Sequence, residues 1–337
     1  MKTICISGIT GQLGAYLVDH IINLEEEVKI VGMVRRSATP NLKNIEEYLD
    51  LKLKNGRSVV KLEYGDVTDS GSINRIVDQY QPHEFYNLAA QSHVRISYDI
   101  PEYSMQSVAI GAINCLEALR KYVCRCKYYN AGSSEQFGDC IDSDGFQRET
   151  TPFRPNSPYA VAKLASFHLT RLYREAYGMF ACSSINFNFE SKKRGENFVT
   201  RKITKYVAGL YSNKVFNRGA FPLLSLGNLE AYRDWSYAGD VAIGIYNLMQ
   251  QDQPDDYVFA SGETHSIKEL LEVAFGYIDT DWHDYVTLDP SLLRPKELSV
   301  LRGDSSKARQ AKIWKPQVTF KELIEMMVQE DIKAIRD

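Results

Sequence analysis

The sequence predicts an α/β fold built on a doubly wound parallel sheet. Short apolar runs of strand length alternate with amphipathic helical segments through the first half of the chain, and this alternation is typical of βαβ units. The first strand leads directly into a glycine-rich turn at residues 8–14 and then into a helix, as in a Rossmann-type dinucleotide site. With 337 residues, the chain is long enough for a second, smaller and discontinuous α/β domain that binds the substrate.

Each predicted strand is an apolar run bounded by turn or polar residues. The first five lie at residues 3–7, 28–34, 59–64, 84–89 and 127–131, and two more lie at 183–188 and 256–261. A long helix is predicted at 158–177, because Pro158 suits the first helical position and Gly178 suits the residue after the last turn. Amphipathic helices are also predicted at 266–275 and 320–335.

A change of pattern near residue 180 predicts the domain organisation. We expect residues 1–180 to form the dinucleotide-binding Rossmann domain, with segments near 235–262 returning to it. Residues 181–337 are expected to form mainly the substrate-binding domain. Within them, the stretch from 190 to about 227 is polar, contains glycine and is rich in Lys and Arg, which suits a surface that faces an anionic substrate.

The composition argues against several classes of function. A formal net charge of −3 gives no general attraction to nucleic acid or to anionic lipid. No apolar run approaches the roughly 18 residues that span a bilayer. The six cysteines show no paired metal-ligand spacing, so we expect reduced core cysteines and no metal site. No secretory leader is expected, and the prediction is a cytoplasmic protein without a nucleic-acid or membrane partner.

The glycine-rich turn predicts the cofactor site. Gly8, Gly11 and Gly14 allow a tight turn, a close approach of the backbone to a pyrophosphate, and packing of the helix on the strand. The pyrophosphate would lie at the helix N-terminus. Plain turns also contain three glycines at this spacing, and the position between strand and helix favours a dinucleotide. The contacts predicted for this turn are Gly8, Thr10, Gly11, Gln12, Leu13 and Gly14.

Residues at the ends of the next strands indicate which dinucleotide binds. An acidic residue after the second strand would hold the ribose hydroxyls of NAD, but Arg35 and Arg36 occupy this position. Two guanidiniums match a 2′-phosphate, so NADP is predicted unless both arginines are solvated surface charges. Contacts with the adenine and along the ribose are expected from Asp66, Val67, Leu88, Ala89 and Ala90.

Two short motifs carry the predicted chemistry. Tyr159 and Lys163 are four residues apart and share one face of a helix, so the ammonium is expected to lower the pKa of the phenol. Ser133 follows a strand at its carboxyl end, where doubly wound folds bind ligands, and its hydroxyl can share the same substrate proton. Glu135 adds a second acid/base group, which simple alcohol oxidation does not require.

Longer strings of residues resemble one family. They are GITGQ at 8–12, YNLAAQSHV at 86–94, NFVTRKI at 197–203, LGNL at 226–229, RDW at 233–235 and WKP at 314–316. Together with the two catalytic motifs, these strings resemble the GDP-mannose 4,6-dehydratase family of the extended short-chain dehydrogenase/reductase superfamily. The resemblance extends over essentially the whole chain.

The resemblance implies oxidation, elimination and reduction of a GDP-sugar. Tyr159 would take the proton of the sugar 4-hydroxyl while a hydride leaves carbon 4 for NADP⁺, and Lys163 would hold both the phenolate and the nicotinamide ribose. Glu135 would then remove the proton from carbon 5 and protonate the leaving 6-hydroxyl. Return of the hydride to carbon 6 gives a 4-keto-6-deoxy sugar without net redox change.

The resemblance also implies substrate contacts and an assembly. The loop at 192–195 resembles the family's segment that reaches the cofactor of a neighbouring subunit, which implies a homo-oligomer, either a tetramer or a dimer. The residues implied to contact the diphosphate, the nucleotide or the sugar are Ser92, Glu135, Asn188, Arg194, Asn197, Val199, Lys202, Arg233, Arg294 and Glu297.

Departures from the family pattern leave the sugar and the final step open. Ser133 replaces the family's threonine, Phe189 replaces a histidine, and the pair at 236–237 replaces Gly-His. The substrate is therefore predicted as GDP-mannose or a close analogue such as GDP-manno-heptose. The alternatives are a GDP-sugar 4-reductase, 4-dehydrogenase or epimerase, and a non-catalytic NADP-binding regulator. Retention of the Tyr159 base argues against the regulator.

Overall fold

The structure, a computed structural model, describes residues 1–24, 27–39, 41–53, 56, 58–293, 295–298 and 300–336. Its strands are β1 (Lys2–Ser7), β2 (Val28–Val34), β3 (Val60–Tyr64), β4 (Glu84–Asn87), β5 (Lys127–Ala131), β6 (Ala181–Asn186), β7 (Asn188–Glu190), β8 (Leu224–Leu226), β9 (Tyr232–Arg233), β10 (Trp235–Tyr237), β11 (Tyr257–Phe259), β12 (His265–Ser266), β13 (Val286–Leu288) and β14 (Val300–Leu301). Its α-helices are α1 (Gln12–Leu24), α2 (Glu46–Leu49), α3 (Ser70–Tyr80), α4 (Val94–Ser97), α5 (Pro101–Met105), α6 (Gly111–Tyr122), α7 (Pro158–Tyr177), α8 (Val199–Val215), α9 (Ala238–Met249), α10 (Ile267–Gly276), α11 (Ser306–Gln310) and α12 (Phe320–Arg336).

Seven strands form one parallel sheet in the order β11-β6-β5-β4-β1-β2-β3. The chain builds this sheet outward from β1 in two directions, first through β2 and β3 and then through β4, β5 and β6. A crevice therefore opens between β1 and β4 at the carboxyl ends of the strands, where such folds bind their ligands. The predicted doubly wound parallel sheet is confirmed.

Both faces of the sheet are covered by helices, which explains why nearly all residues of β1, β4, β5 and β6 are buried. Alternate residues of β1 divide between two core clusters. Ile4 and Ile6 belong to the cluster that includes side chains of α1 and α9, and Cys5 belongs to the one that includes side chains of α3, α6 and α7. Each cluster stabilises the folded state by roughly 25 cal/mol for every Å² of apolar surface that it removes from water. The two layers of helices therefore hold the strand ends in place around the crevice.

Strand β4 is shorter than predicted, because it ends at Asn87 instead of residue 89. The hydroxyl of Ser7, the last residue of β1, accepts hydrogen bonds from the backbone N–H groups of Leu88 (3.1 Å) and Ala89 (3.2 Å). The same hydroxyl donates to Oδ1 of Asn87 at 2.7 Å. The N–H of Leu88 also donates to the carbonyl oxygen of Ser7 at 3.2 Å. The ladder therefore continues to Leu88, and the amide of Ala89 leaves it as the chain turns away at the edge of the crevice.

The predicted strand at 183–188 is divided between two sheets. Strand β6 belongs to the large sheet and ends at Asn186, and after Phe187 the strand β7 pairs with β10 in a small parallel sheet. Two more small sheets, β12-β9-β14 and β13-β8, lie in the same part of the chain. The smaller α/β region therefore begins directly at the carboxyl end of β6 and brings β7 to the crevice.

Helix α8 lies where the sequence pattern predicts only a polar, substrate-facing segment. Its buried face includes Thr200, Arg201 and Thr204, so its apolar periodicity is weak. Two of these polar residues contact α12, because Asp331 forms an ion pair with Arg201 and accepts a hydrogen bond from Oγ1 of Thr204 at 2.8 Å. This polar contact between distant segments lies beside the short apolar stripe of Ile203, Val207 and Leu210, which joins a core cluster.

Segments between 238 and 259 pack onto the large sheet. Strand β11 pairs in parallel with β6, and α9 shares a core cluster with α1. The ring of Phe259 stacks on that of Trp314 with 5.3 Å between ring centroids. The division into a cofactor domain and a substrate domain near residue 180 stays a prediction.

Packing around Trp314 generates a test of this arrangement. We expect Gly244→Ala to destabilise the protein by about 1–3 kcal/mol, because a Cβ at this position of α9 would lie 2.3 Å from Cδ1 of Trp314 and 2.9 Å from Phe259. Gly276→Ala in α10 is the matched control, since its Cβ meets nothing within 4 Å, and it should be neutral or stabilising by up to about 1 kcal/mol. Urea unfolding measures both, and equal effects would contradict the packing.

Candidate active site

A cavity of about 1180 Å³ opens at the carboxyl ends of the parallel strands. Its wall includes Gly8 after β1, Leu88 after β4, Gly132 after β5 and Phe187 after β6. The structure therefore brings most of the predicted site residues together at the strand ends. Those that line the cavity are Gly8, Thr10, Gly11, Gln12, Leu13, Gly14, Arg35, Leu88, Ala90, Ser92, Ser133, Glu135, Tyr159, Lys163, Asn188, Arg194, Asn197, Val199, Lys202, Arg233 and Glu297.

A few predicted residues lie elsewhere. The predicted cofactor residues outside the cavity wall are Arg36, Asp66, Val67 and Ala89. The carboxylate of Asp66 binds within its own loop, where Oδ1 accepts hydrogen bonds from the backbone N–H and the hydroxyl of Thr68, each at 2.9 Å. Arg294 lies outside the described residues. The ligand contacts expected of these residues stay predictions.

The glycine-rich turn leaves no space for side chains. Gly8 has φ +69°, and a Cβ on it would lie 2.8 Å from the backbone nitrogen of Ala89. A Cβ on Gly14 would lie 2.7 Å from the carbonyl oxygen of Gly8. The N–H of Gly11 donates to that carbonyl oxygen at 3.0 Å and closes the turn. The backbone can therefore approach a ligand closely at the first residues of α1, as dinucleotide sites require.

The side chain of Gln12 joins the glycine turn to β7. Its Nε2 donates to the carbonyl oxygen of Phe189 at 2.9 Å, and its Oε1 accepts from the hydroxyl of Ser191 at 2.8 Å. Both ends of the side-chain amide already bind protein groups, so we expect Gln12 to contact a cofactor through its backbone. Sequence reasoning misses this link, since the bonded residues are more than a hundred positions apart and no local signal marks them.

Strand β5 delivers Ser133 and Glu135 to the cavity. The strand ends at Ala131, and one turn of 3₁₀-helix follows with Ser133 as its N-cap. Oγ of Ser133 accepts from the N–H of Glu135 at 3.3 Å, and the N–H of Ser133 donates to Oε1 of Gln136 at 3.0 Å. This reciprocal capping box fixes both residues at the end of the strand, where each is buried.

Helix α7 brings Tyr159 and Lys163 to the same place. The helix has the predicted bounds, with Ser157 as N-cap and Gly178 in the left-handed region after its end. Lys163 is 6% exposed, and its Nζ donates to the carbonyl oxygen of Ala131 at 2.5 Å. The ammonium is thereby tied to the strand that carries the serine and the glutamate, so the two motifs form one site.

Burial determines the acidities of the tyrosine and the lysine. It raises the pKa of Tyr159 to about 12, although a hydrogen bond with Ser133 and the charge of Arg194 act in the opposite direction. Burial also lowers the pKa of Lys163 to about 8. Nζ of Lys163 lies 5.8 Å from the centroid of the tyrosine ring. The prediction that Lys163 brings the phenol pKa below its usual value is wrong here, because desolvation of the phenolate dominates.

The predicted phosphate-binding cations differ in their contacts. Arg233 donates to two backbone carbonyl oxygens at 2.8 Å each and forms an ion pair with Glu297 at 2.6 Å. Lys202 donates to a carbonyl oxygen of β8 at 2.7 Å. Nε of Arg194, by contrast, lies 3.2 Å from Oε2 of Glu190 without forming a hydrogen bond. Arg194 is therefore held mainly by charge, and Arg233 by directional bonds.

At the other end of the cavity, Arg35 donates from Nη1 to the hydroxyl of Tyr103 at 2.6 Å. Nδ2 of Asn44 donates to the carbonyl oxygen of Thr10 at 3.0 Å, so the segment after β2 also contacts the glycine turn. Neither Tyr103 nor Asn44 is predicted from the sequence, because each contributes through a contact that no local pattern shows.

The loop at 192–195 makes contacts within its own chain. Lys192 pairs with Glu330 at 2.9 Å. Nζ of Lys193 donates to a backbone carbonyl oxygen at 2.8 Å and lies 5.5 Å and 5.3 Å from the ring centroids of Tyr16 and Tyr48. The expected reach of this loop to a neighbouring subunit, and the homo-oligomer it implies, stay predictions.

Two further properties of the described residues concern membranes and metals. None of their helices combines the length and the apolar composition that crossing a bilayer requires. They also contain no group of three or more His, Cys, Asp and Glu side chains arranged to hold a metal ion.

The fold defines a class of protein. The chain superposes on a dTDP-glucose 4,6-dehydratase from Bacillus anthracis with a TM-score of 0.83 at 18% identity, covering 100% of this chain and 98% of the other. It superposes on a UDP-glucose 4-epimerase from Thermus thermophilus with a TM-score of 0.81 at 22% identity, covering 98% of each chain. The architecture is thus that of the nucleotide-sugar dehydratases and epimerases.

The sequence defines the family within this class. The family model described as GDP-mannose 4,6 dehydratase matches residues 5–327. GDP-mannose 4,6 dehydratase 2 of Arabidopsis thaliana is 47% identical over 340 residues, covering 99% of this chain and 88% of the relative. The Sinorhizobium fredii enzyme is 41% identical over 354 residues, covering 99% and 98%. The chain belongs to the GDP-mannose 4,6-dehydratase family, and the resemblance seen in its short strings is confirmed.

Burial of Lys163 generates a prediction about stability. Its pKa falls from 10.5 to about 8 on folding, so the folded state loses stability relative to the unfolded state as the pH drops toward about 8. Lys163→Met removes this cost and should make the protein more stable by roughly 2–3 kcal/mol near pH 7, while abolishing any role of the ammonium. The gain should shrink to roughly 1 kcal/mol near pH 9.5.

Thermal or urea unfolding at both pH values measures this difference. Lys268→Met is the control, because Lys268 is an exposed residue of α10, and its effect should be small and independent of pH. A Lys163→Met protein that is less stable than the wild type by the same amount at both pH values would contradict the burial cost.

Proposed function

We propose that this protein is a 4,6-dehydratase of GDP-mannose or of a close analogue such as GDP-manno-heptose. The observation that carries the proposal is that Ser133, Glu135, Tyr159 and Lys163 line one cavity beside the glycine turn, in a chain of this family. Alcohol oxidation needs the hydroxyl, the phenol and the ammonium. The buried carboxyl of Glu135 provides the additional acid/base group that elimination of water needs. Relatives named GDP-mannose 4,6 dehydratases support this choice of substrate.

We propose NADP as the cofactor. The glycine turn fits a dinucleotide, since side chains on Gly8 or Gly14 would collide with backbone atoms and the free space lies at the start of α1. Arg35 lines the cavity and would bind the 2′-phosphate. Proteins of the same fold have been solved with NAD and with NADPH, so the choice rests on Arg35. When bound, the nicotinamide would accept a hydride from the sugar and return it.

The four residues would move protons in the proposed reaction. Tyr159 would take the proton of the 4-hydroxyl, with Ser133 hydrogen-bonded to the same oxygen. Because burial holds the phenol pKa at about 12, this step needs positive charge near the ring. Glu135 would take the proton from carbon 5, made acidic by the 4-ketone, and pass it to the 6-hydroxyl, which leaves as water. Carbon 5 regains a proton as carbon 6 is reduced, and this proton balances the one that Tyr159 takes from the 4-hydroxyl, so product and substrate differ by one water.

Departures from the family pattern affect different parts of this site. Ser133 and Phe189 line the cavity, whereas Ser236 and Tyr237 do not. Ser236 is buried beneath the wall, and Tyr237 packs edge-on against Tyr16 with 5.4 Å between centroids. A changed sugar preference would therefore arise from Ser133 or from Phe189, which places an apolar ring where the family has a histidine.

We also propose that the substrate is held by the predicted polar residues of the wall and that the enzyme is a cytoplasmic homo-oligomer. The likeness of the loop at 192–195 to the family's intersubunit segment supports the oligomer. Light scattering of the purified protein tests this part, and a monomeric mass would overturn it.

Turnover of GDP-mannose without added reductant tests the proposed function. Mass spectrometry should detect a product lighter by one water. Glu135→Gln should still oxidise carbon 4 but lose water roughly 10²–10⁴ times more slowly, because the general acid/base is missing. Glu263→Gln is the control, since Glu263 is exposed and lies outside the cavity wall, and it should keep wild-type activity.

Other outcomes would contradict the proposal in identifiable ways. Normal dehydration by the Glu135→Gln protein would remove the role of this residue. A product of unchanged mass indicates an epimerase, and one lighter by two hydrogens indicates a dehydrogenase. Absence of turnover with GDP-mannose and with GDP-manno-heptose would favour a nucleotide-binding regulator.

Cofactor titrations test the assignment of NADP. Arg35→Leu should weaken NADP binding about tenfold or more and leave NAD binding nearly unchanged, because only NADP carries the 2′-phosphate. Arg36→Leu should weaken NADP binding less, since Arg36 lies outside the cavity wall. Equal losses for NADP and NAD in the Arg35→Leu protein would contradict a 2′-phosphate contact.

A further inference from the structure

Glu190 is a buried carboxylate beside the substrate site that the proposed reaction does not use. It is the last residue of β7, lines the cavity and is only 1% exposed. Its Oε2 accepts a hydrogen bond from the hydroxyl of Thr200 at 2.6 Å and lies 3.2 Å from Nε of Arg194. Burial raises the pKa of this carboxyl, and Arg194 acts against the rise. A buried carboxylate needs such a partner to stay charged.

Arg194 lies between this carboxylate and aromatic rings. Its guanidinium carbon is 3.6 Å from the ring centroid of Phe198 and 5.9 Å from that of Phe189. Phe198 in turn contacts the ring of His93, with 5.2 Å between centroids. Nε of Arg194 is buried and makes no hydrogen bond. The charge of Glu190 and the ring of Phe198 thus fix the orientation of the guanidinium. Its outer N–H groups are left to bind a ligand.

The guanidinium belongs to the reacting end of the cavity. Arg194 and Tyr159 line the same cavity, and the charge of Arg194 acts on the acidity of the phenol. Phe189 is uncharged, so the electrostatic potential in this part of the cavity depends on the position of the Arg194 guanidinium. The neighbouring loop residue Lys192 also lines the cavity, but its ammonium pairs with Glu330 of α12.

We propose that Glu190 is a positioning residue, which together with Thr200 holds the guanidinium of Arg194 against Phe198 in the orientation that binds the diphosphate-sugar. The inference rests on the proposed function, because the ligand of Arg194 is taken to be the anionic nucleotide sugar. In this role Glu190 acts through Arg194, because its Oε2 accepts the hydrogen bond of Thr200 and forms the ion pair.

A double-mutant cycle tests this role. Glu190→Gln keeps the size of the side chain and removes its charge, so the KM for GDP-mannose should rise about tenfold while kcat changes less than about threefold. Arg194→Gln should raise KM at least as much. Glu190→Gln added to Arg194→Gln should change KM by less than about twofold, because the group it positions is gone. Glu190→Asp retains the charge and should recover part of the affinity.

Glu330→Gln is the matched control. It removes a carboxylate that pairs with Lys192 of the same loop, but this pair is partly exposed and Glu330 lies outside the cavity wall, so KM should change less than about twofold. Should Glu190→Gln fail to fold, Thr200→Val replaces it in the cycle, and its rise in KM should likewise vanish on the Arg194→Gln background.

The outcomes separate this inference from the function on which it rests. Effects on KM that multiply in the double mutant, or an unchanged KM in the Glu190→Gln protein, would overturn the positioning role while the wild type still dehydrates GDP-mannose. A wild type that neither binds nor dehydrates GDP-mannose would overturn the proposed function and this inference together.

Discussion

Burial of a lysine ammonium at the carboxyl end of β5 is the constraint on which the site depends. Lys163 is stabilised there because the carbonyl oxygen of Ala131 accepts its hydrogen bond, and the cost of the burial lowers its pKa to about 8. The same desolvation raises the pKa of Tyr159 to about 12. The charge of Arg194, on the loop after β7, opposes this rise, but burial outweighs it.

Long-range polar contacts connect this loop to the glycine turn. Gln12 bonds to Phe189 and Ser191 on either side of Glu190, and Glu190 pairs with Arg194. The glycine turn, β7 and the loop after it are consequently one connected unit, so the cofactor end and the sugar end of the cavity share a common support. This connection depends on the division of the predicted strand at 183–188, which lets β7 leave the large sheet and reach the crevice.

Features with local sequence signals are predictable, and features that depend on distant contacts are not. The bounds of α7 follow from Pro158 and Gly178, and the large sheet follows from apolar runs that need no partner to be recognised. The end of β4 depends on the hydroxyl of Ser7, and the apolar periodicity of α8 is weakened by buried polar side chains that contact α12 and β7. In the site, the motif residues are predictable from the sequence. The pKa values of Tyr159 and Lys163 are not, because they depend on burial in the folded chain.

The path of one hydrogen atom tests the central claim that a single site oxidises carbon 4, eliminates water and reduces carbon 6. GDP-mannose carrying deuterium on carbon 4 is incubated with the enzyme, and the product is examined by NMR and mass spectrometry. We expect deuterium on carbon 6 of the product and none in the solvent or in free cofactor, because the hydride stays within the site. Deuterium released with the cofactor, or a dehydrated product without deuterium, would contradict oxidation and reduction in a single site.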